Sequence, residues 1–320
     1  MIGLVVGVDA GGSRTRVIVA DASGETVAAS EREGGAVKPR EVERSAAIIA
    51  AAVRDALATL DPTLGAPRAL CAGVAGVGRE KERRALREAL LNESLAEDVL
   101  VVTDAEIALA DAFGDEAGIV LIAGTGSIAH GRGPTGVLER VGGWGPHLGD
   151  EGGGYWIAHR ALSVVTAATD GREPETSLVG AMLTAAELDE VESLIPWAAS
   201  ATVSQIAALA PVVVASAEAG DLRANALLGL AAEELVLHVR TLARSLFEDE
   251  RAAMQVALGG GLLEPGSALR RRVEHRLKSA VPGSKMHVAP IVAVRGAVRR
   301  AMQMGEPATG ADHAGAVREG

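Results

Sequence analysis

Short glycine-rich segments contain most of the residues of this sequence that could take part in chemistry. The first, Asp9-Ala10-Gly11-Gly12-Ser13-Arg14-Thr15, lies between two apolar runs. Its glycines let backbone N–H groups approach an anionic ligand without obstruction by a Cβ atom, and the hydroxyls of Ser13 and Thr15 add donors. Asp9, at the end of the preceding run, is suited to hold a hydrated Mg²⁺ beside phosphates. The alternative is an ordinary hairpin that the Asp9 side chain caps.

Two further glycine-rich turns extend this pattern. Gly124-Thr125-Gly126-Ser127 occupies the matching place in the second half of the chain, as expected for a nucleotide that is bound from both halves. Gly259-Gly260-Gly261 follows an apolar run and would let a flat adenine ring lie against backbone; a plain strand-to-helix turn is the alternative. The P-loop pattern and the dinucleotide fingerprint are both missing from the sequence.

Asp104 directly follows the apolar run Val99–Val102 and the residue Thr103. A carboxylate at a strand end can accept the proton of a substrate hydroxyl while that hydroxyl attacks the γ-phosphorus of ATP. Asp is also a common N-cap, so the same residue could start a helix over Ala105–Phe113. The two roles do not exclude each other.

The segment from Gly142 to Gly154 combines seven glycines with a Trp, a His and two acidic residues. This composition is foreign to a regular helix or strand and predicts a binding loop. Asp150 or Glu151 would accept hydrogen bonds from sugar hydroxyls, and Trp144 would pack on the apolar face of a sugar ring. The alternative is a capped helix start beside a buried Trp.

The order of predicted elements suggests an α/β fold that is built twice. A βββαβαβ pattern fills residues 1–116, and a second three-strand opening begins at residue 117 and continues into mainly helical sequence up to residue 304. We expect a ligand to bind in a crevice between the two halves, and a flexible tail over residues 305–320. The predicted helices of the second half include Val203–Ala219 and Leu222–Phe247, the latter with Asp221 as its N-cap.

Composition excludes several classes of protein. The 320 residues are enough for two domains, aromatic residues make up 2% and the formal net charge is −11, which argues against a nucleic-acid partner. Cys71 is the single cysteine, so one chain cannot form a disulfide or a cysteine-based metal site. No apolar stretch is long enough to span a bilayer and no basic leader precedes the first strand, so we expect a cytoplasmic protein.

Taken in order, these motifs resemble the family that joins the N-acetylglucosamine kinases to the BadF/BcrA-type ATPases, whose fold is the two-lobed actin/hexokinase-type (ribonuclease H-like) ATPase fold. The resemblance implies ATP and Mg²⁺ as cofactors, transfer to the 6-hydroxyl of an amino sugar, and a homodimer. It implies that Asp104 is the catalytic base and that Ser13 and Thr125 contact nucleotide phosphate. The sugar contacts that it implies are Trp144, Gly145 and Asp150.

One departure from the family pattern leaves the sugar open. N-acetylglucosamine kinases typically present an Asn in the loop after the third strand, whereas this loop reads Gly34–Pro39, with Val37 or Lys38 in the expected region. N-acetylglucosamine is the expected substrate, and glucosamine or another hexose is the alternative. From another class, an activator ATPase of the BadF kind would need paired cysteines for a shared cluster; a sugar sensor without catalysis is the remaining alternative.

Overall fold

The computed structural model describes residues 3–12, 14–38, 41–249 and 251–304; the predicted tail, residues 305–320, lies outside them. The strands are β1 Val5–Ala10, β2 Arg14–Ala20, β3 Thr26–Glu33, β4 Ala69–Val74, β5 Asp98–Val102, β6 Gly118–Ala123, β7 Ser127–Arg132, β8 Leu138–Gly142, β9 Met254–Gly259 and β10 Ser284–Met286. The helices are α1 Val42–Leu57, α2 Glu80–Asn92, α3 Asp104–Phe113, α4 Gly154–Thr169, α5 Leu178–Ala185, α6 Leu194–Ser200, α7 Val203–Ala207, α8 Ala210–Glu218, α9 Leu222–Leu246, α10 Ala268–Ala280 and α11 Ala293–Gln303.

The described residues divide into two compact units, one formed by those within 3–116 and 289–304 and the other by those within 117–288. The sequence prediction placed α11 in the second domain, whereas this helix packs on α3 and β1 of the first unit. Gly7 and Gly296 permit that packing, since a Cβ atom on either residue would collide with the backbone of the neighbouring element. Asp111 anchors the start of α11 by accepting hydrogen bonds from the backbone N–H of Val292 at 2.6 Å and from Arg295 at 3.0 and 3.1 Å.

The first unit contains a five-stranded sheet in the order β3-β2-β1-β4-β5. β2 is antiparallel to both β1 and β3, whereas β1, β4 and β5 are parallel to one another. Successive side chains of a strand point to opposite faces, so Val6 and Val8 join the core beneath α1 and α2 while Val5 joins the core beneath α3 and α11. The carboxyl ends of three parallel strands therefore meet at one edge of this sheet.

The second unit repeats this topology with its own sheet, in the order β10-β9-β6-β7-β8. β6, β7 and β8 form the antiparallel opening, and β9 and β10 add in parallel beyond β6. The predicted α/β class and its duplicated order of elements are thus confirmed. Five helices, α4 to α8, lie in the chain between β8 and α9.

Local differences from the predicted elements have simple causes. The predicted helix Val203–Ala219 is two helices, because Pro211 lies in the first turn of α8, where its missing N–H does no harm but where it cannot continue a preceding helix. The short strand β10 was not predicted, since three residues carry no periodic signal. Asp221 is the N-cap of α9, as predicted, and accepts hydrogen bonds from the N–H groups of Arg223 and Ala224 at 2.9 Å.

Among the helices of the described residues, none is by itself both long enough and apolar enough to cross a bilayer. The segments Val203–Glu218 and Leu222–Leu246 reach that length and composition only when taken together, and they are bent by 117° relative to each other.

Candidate active site

Two carboxylates lie at the edge where the parallel strands of the first unit end. Asp9 is the penultimate residue of β1 and is paired in register with Gly73 of β4; Asp104 follows β5 and is the first residue of α3. Their charges interact, because the charge of Asp104 is one of the causes that raise the pKa of Asp9. Two residues that are far apart in sequence therefore lie within electrostatic range of each other.

Thr103, and not Asp104, is the N-cap of α3. The Thr103 hydroxyl oxygen accepts a hydrogen bond from the backbone N–H of Glu106 at 3.2 Å, and the Glu106 carboxylate accepts the backbone N–H of Thr103 at 2.8 Å. This reciprocal capping box satisfies the orphan donors of the first turn. The Asp104 side chain is therefore not the helix cap; its carboxylate accepts hydrogen bonds from the N–H of Ala105 at 3.0 Å and from its own N–H.

The environment of Asp104 favours its protonated form. Burial is the main cause that raises its pKa above the ordinary value, and the negative charge of Glu106 adds to the effect. Hydrogen bonds from backbone N–H groups, including that of Ala105, act in the opposite direction. A carboxylate with a raised pKa is a better proton acceptor than an exposed one once it is ionised.

Burial also raises the pKa of Asp9, to about 6, and the charge of Asp104 adds to this shift while Arg16 and Arg14 oppose it. A carboxyl pair of this kind fits Mg²⁺, which keeps several waters and is held by one or two protein carboxylates together with substrate phosphates. Among the described residues no group of three or more His, Cys, Asp or Glu side chains forms a closed metal site. The chemistry of the pair therefore suits a hydrated ion better than a protein-only cage.

The turn between β1 and β2 keeps part of its predicted role. A Cβ atom on Gly12 would meet nothing within 4 Å, so this position is open to a ligand, and the N–H of Gly11 is bonded to the Arg14 carbonyl at 2.9 Å. Thr15, however, is fully buried and its hydroxyl donates to the Glu33 carbonyl at 2.8 Å. Its predicted contact with a nucleotide is corrected to a structural role. Ser13 lies outside the described residues.

In the loop after β3, the two residues in the region where related kinases present an Asn have different environments. Val37 is buried in the first-unit core and its N–H donates to the Ala75 carbonyl at 2.9 Å, so its side chain is unable to contact a sugar. Lys38 is exposed. Gly76 must be glycine here, because it has a φ of +90° and any Cβ atom would collide with the Val37 carbonyl.

In the second unit, the Asp150 side chain contacts both its own glycine-rich loop and the earlier Gly124–Ser127 turn. Its Oδ1 accepts a hydrogen bond from the N–H of Gly145 at 3.1 Å, and its Oδ2 lies so close to Gly126 that a Cβ atom there would collide with it. Asp150 itself has a φ of +58°, a conformation that non-glycine residues adopt uncommonly, although Asp adopts it more readily than most. Burial raises the pKa of Asp150 above its ordinary value.

The start of α4 completes this arrangement. The N–H of Gly154 donates to the Gly124 carbonyl at 2.8 Å, and the N–H of Tyr155 donates to the Thr125 carbonyl at 2.9 Å. Gly153 is the N-cap and no side chain caps the helix. Asp150 is therefore not a helix cap, which removes one alternative for this loop. The Thr125 residue is exposed, so its hydroxyl remains accessible.

The third glycine turn packs against the first turn of the same unit. Gly260 has a φ of +88°, and a Cβ atom on it would collide with the carbonyl of Ala123, the last residue of β6. Gly259 ends β9 in register with Ile122, and a 3₁₀ turn over Gly261–Leu263 follows. The segment is therefore a strand-to-helix turn, and its backbone at Gly260 and Gly261 is also exposed.

Trp144 is exposed over 59% of its surface, so the buried-Trp alternative is wrong. The guanidinium carbon of Arg140 lies 4.8 Å from its ring centroid, and Arg140 Nη1 donates to the Gly142 carbonyl at 2.8 Å. Arg140 was not among the predicted site residues, although its place two residues before the glycine-rich loop was a usable signal. It places a cation beside the predicted sugar contact Trp144.

The first prediction concerns the pH dependence of stability. A carboxyl group with a pKa near 6 in the folded chain and 3.8 when unfolded binds more protons when folded, so stability is lost as pH rises from about 4 to 6. Asp9→Asn removes this loss, and we expect it to gain about 2–3 kcal/mol of unfolding free energy over wild type between pH 4 and pH 7. Urea unfolding of both proteins in metal-free buffer measures the difference; parallel stability curves would contradict the shift.

A second prediction tests the contact between Asp150 and Gly126. Gly126→Ala must displace the Asp150 carboxylate from the Gly145 N–H, and we expect a loss of about 1–3 kcal/mol of unfolding free energy. Gly124→Ala is the matched control two residues away, since its Cβ atom would meet nothing within 4 Å. Equal losses for the two variants, measured by urea unfolding, would show that the contact does not hold Asp150.

Comparisons with known proteins agree with these features. The profile of the BadF/BadG/BcrA/BcrD ATPase family matches residues 6–302. An N-acetylmuramic acid/N-acetylglucosamine kinase of Clostridium acetobutylicum is 31% identical over 258 residues, which cover 80% of this chain and 84% of the relative. The N-acetyl-D-glucosamine kinase of Dictyostelium discoideum is 28% identical over 297 residues, which cover 88% of this chain and 92% of that protein.

Among solved structures, a Chromobacterium violaceum protein whose assignment as an N-acetylglucosamine kinase is provisional matches with a TM-score of 0.76 and 29% identity. The match covers 94% of this chain and 99% of the other. The family profile and the 31% identical relative both cover most of this chain, and the chain belongs to the BadF/BadG/BcrA/BcrD ATPase family.

Proposed function

We propose that this chain is an ATP-dependent kinase that phosphorylates the 6-hydroxyl of an amino sugar, with N-acetylglucosamine as the first candidate. One observation carries the proposal: Thr103 caps α3, so the Asp104 carboxylate is free for chemistry beside Asp9 at the strand ends. The names of the two curated relatives support the class of substrate.

Asp104 acts as the general base. It accepts the proton of the sugar hydroxyl while the hydroxyl oxygen forms a bond to the γ-phosphorus of ATP and the bond from that phosphorus to the β–γ bridging oxygen breaks. ADP leaves with the electron pair of that bond. Positioning and electrostatics supply most of the rate in such reactions, so the fixed start of α3 matters as much as the basicity of the carboxylate.

Nucleotide binding is assigned to the glycine turns of each unit. Gly11, Gly12 and Ser13 would present the first unit's backbone to phosphate, and Thr125 with Gly126 would do so in the second. The backbone at Gly259 and Gly260 would support the adenosine. Asp9 would hold Mg²⁺ through water, and a bound ion would neutralise charge on the phosphates. Thr15 is left out because its hydroxyl is already donated to Glu33.

Trp144, Gly145 and Asp150 are assigned to the sugar. A partly exposed aromatic ring packs on the apolar face of a pyranose, and a fixed carboxylate accepts hydrogen bonds from its hydroxyls. Support comes from the exposure of Trp144 and from the hydrogen bond that fixes Asp150 to Gly145.

A second candidate substrate is an amino sugar that carries a carboxylate, such as the N-acetylmuramic acid in the name of one relative. Arg140 is the observation that favours it, because its guanidinium lies over Trp144 and offers a planar fork to a carboxylate. Free glucosamine, which is cationic, would be repelled by this guanidinium.

An activator ATPase that transfers electrons is the competing function within this family. That function needs cysteine thiolates that can reach a shared cluster. Cys71 lies fully buried in β4, and burial raises the pKa of its thiol to about 12, so it is poorly suited to ligate iron. This observation favours the kinase.

We further propose a cytoplasmic homodimer that acts on a small molecule and has neither a nucleic-acid nor a membrane partner. The net charge of −11 supports the exclusion of nucleic acid. The need for ATP supports the compartment, and the family resemblance supports the dimer.

The kinase proposal is tested by ADP release with Mg-ATP and a panel of N-acetylglucosamine, N-acetylmuramic acid, glucosamine and glucose. We expect sugar-dependent turnover with an acetylated amino sugar. Asp104→Asn should lower kcat by about 10²–10⁴-fold, since the amide cannot accept the proton. The matched control is Asp189→Asn, a change at an exposed carboxylate in the second unit. ADP release that ignores every sugar, or an unimpaired Asp104→Asn enzyme, would refute the proposal.

A further inference from the structure

The carboxylate of Glu106 is the centre of a small network at the start of α3. It accepts the backbone N–H of Thr103 at 2.8 Å and the Thr103 hydroxyl at 2.9 Å. Both bonds hold the residue that immediately precedes Asp104. The conformation of this turn, and with it the direction of the Asp104 carboxylate, therefore depends on where Glu106 is held.

Arg83 holds Glu106 from a different helix. Its Nη2 lies 3.5 Å from Glu106 Oε2, and the exposed fractions of the two side chains are 32% and 14%. Arg83 lies in the first turn of α2, which follows β4, so the pair links the helices that come after two neighbouring parallel strands. A largely buried pair of this kind loses much more when one partner is removed than an exposed surface pair does.

We propose that Arg83 and Glu106 are positioning residues for the proton-accepting carboxylate of Asp104. The inference rests on the proposed kinase function and deepens it. Glu106 fixes the Thr103–Asp104 backbone through its two accepted hydrogen bonds, and Arg83 fixes Glu106 and balances its charge. Neither residue is assigned a contact with the substrates.

The network has two separable parts. Glu106→Gln keeps an oxygen that can accept both hydrogen bonds from Thr103, because Gln serves in a capping box as Glu does, but it removes the negative charge. Glu106→Ala removes both the hydrogen-bond acceptor and the charge. Arg83→Met keeps much of the length of the side chain and removes its charge, which leaves the Glu106 carboxylate without its counter-ion.

Kinetics of the sugar-dependent reaction test the proposal. We expect Glu106→Ala to lower kcat by about 10–100-fold while the KM for ATP stays within about threefold of wild type, since 1 Å of misplacement can cost about that factor. Glu106→Gln should retain kcat within about threefold. Arg83→Met should lower kcat by about tenfold, and the double variant Arg83→Met/Glu106→Gln should recover most of that loss because no uncompensated charge remains.

Arg87→Met is the matched control. Arg87 lies one turn further along α2 and binds Asp98 at 3.2 Å and the Val99 carbonyl at 2.7 Å, at the opposite end of β5 from Asp104. We expect it to lower the unfolding midpoint and to leave kcat unchanged. All rates are normalised to the folded fraction of each variant.

The possible results distinguish a failure of the proposed kinase function from a failure of the positioning role. A wild-type enzyme without sugar-dependent turnover refutes the proposed function itself. An active wild type whose Glu106→Ala and Glu106→Gln variants have the same kcat overturns the positioning role, as does an Arg83→Met loss no larger than that of Arg87→Met. If Arg83→Met does not fold, the two Glu106 variants decide the question.

Discussion

The parallel pairing of β1 with β4 and of β4 with β5 is the constraint on which the candidate active site depends. Parallel strands end at the same edge of a sheet, so Asp9 and Asp104 meet although most of the first unit separates them in sequence. An ionised Asp9 is unfavourable for the folded state, because burial and the charge of Asp104 both raise the pKa of Asp9. Other contacts in the first unit must therefore offset this cost.

In both units, hydrogen bonds from neighbouring residues fix the backbone around the candidate site carboxylates. In the first, the Thr103–Glu106 capping box starts α3 and thereby releases Asp104 from any capping duty. In the second, Asp150 adopts a φ of +58° and is held by the N–H of Gly145. Strained backbone and desolvated carboxylates occur together at sites where function, not stability, selects the conformation. In the second unit a glycine-rich loop supplies the backbone donor that holds the carboxylate.

Sequence reasoning could reach the duplicated topology and the glycine turns, since both leave local signals. Thr15 was misassigned although Thr15, Val17 and Val19 alternate in phase, which is the pattern of one buried strand face. Thr103 and Glu106 likewise show the capping-box spacing. The contact of Asp150 with Gly126 had no such signal, because it joins distant segments through a rare backbone conformation. The packing of α11 on the first unit also depends on long-range contacts that periodicity does not encode.

A crystal structure with N-acetylglucosamine and a non-hydrolysable ATP analogue would show which group receives the proton of the sugar hydroxyl. We expect the 6-hydroxyl oxygen to lie about 2.6–3.2 Å from a carboxylate oxygen of Asp104, with Thr103 still capping α3. A complex in which another group receives that hydroxyl, or in which Asp104 turns away to cap the helix, would contradict the assignment of Asp104 as the base.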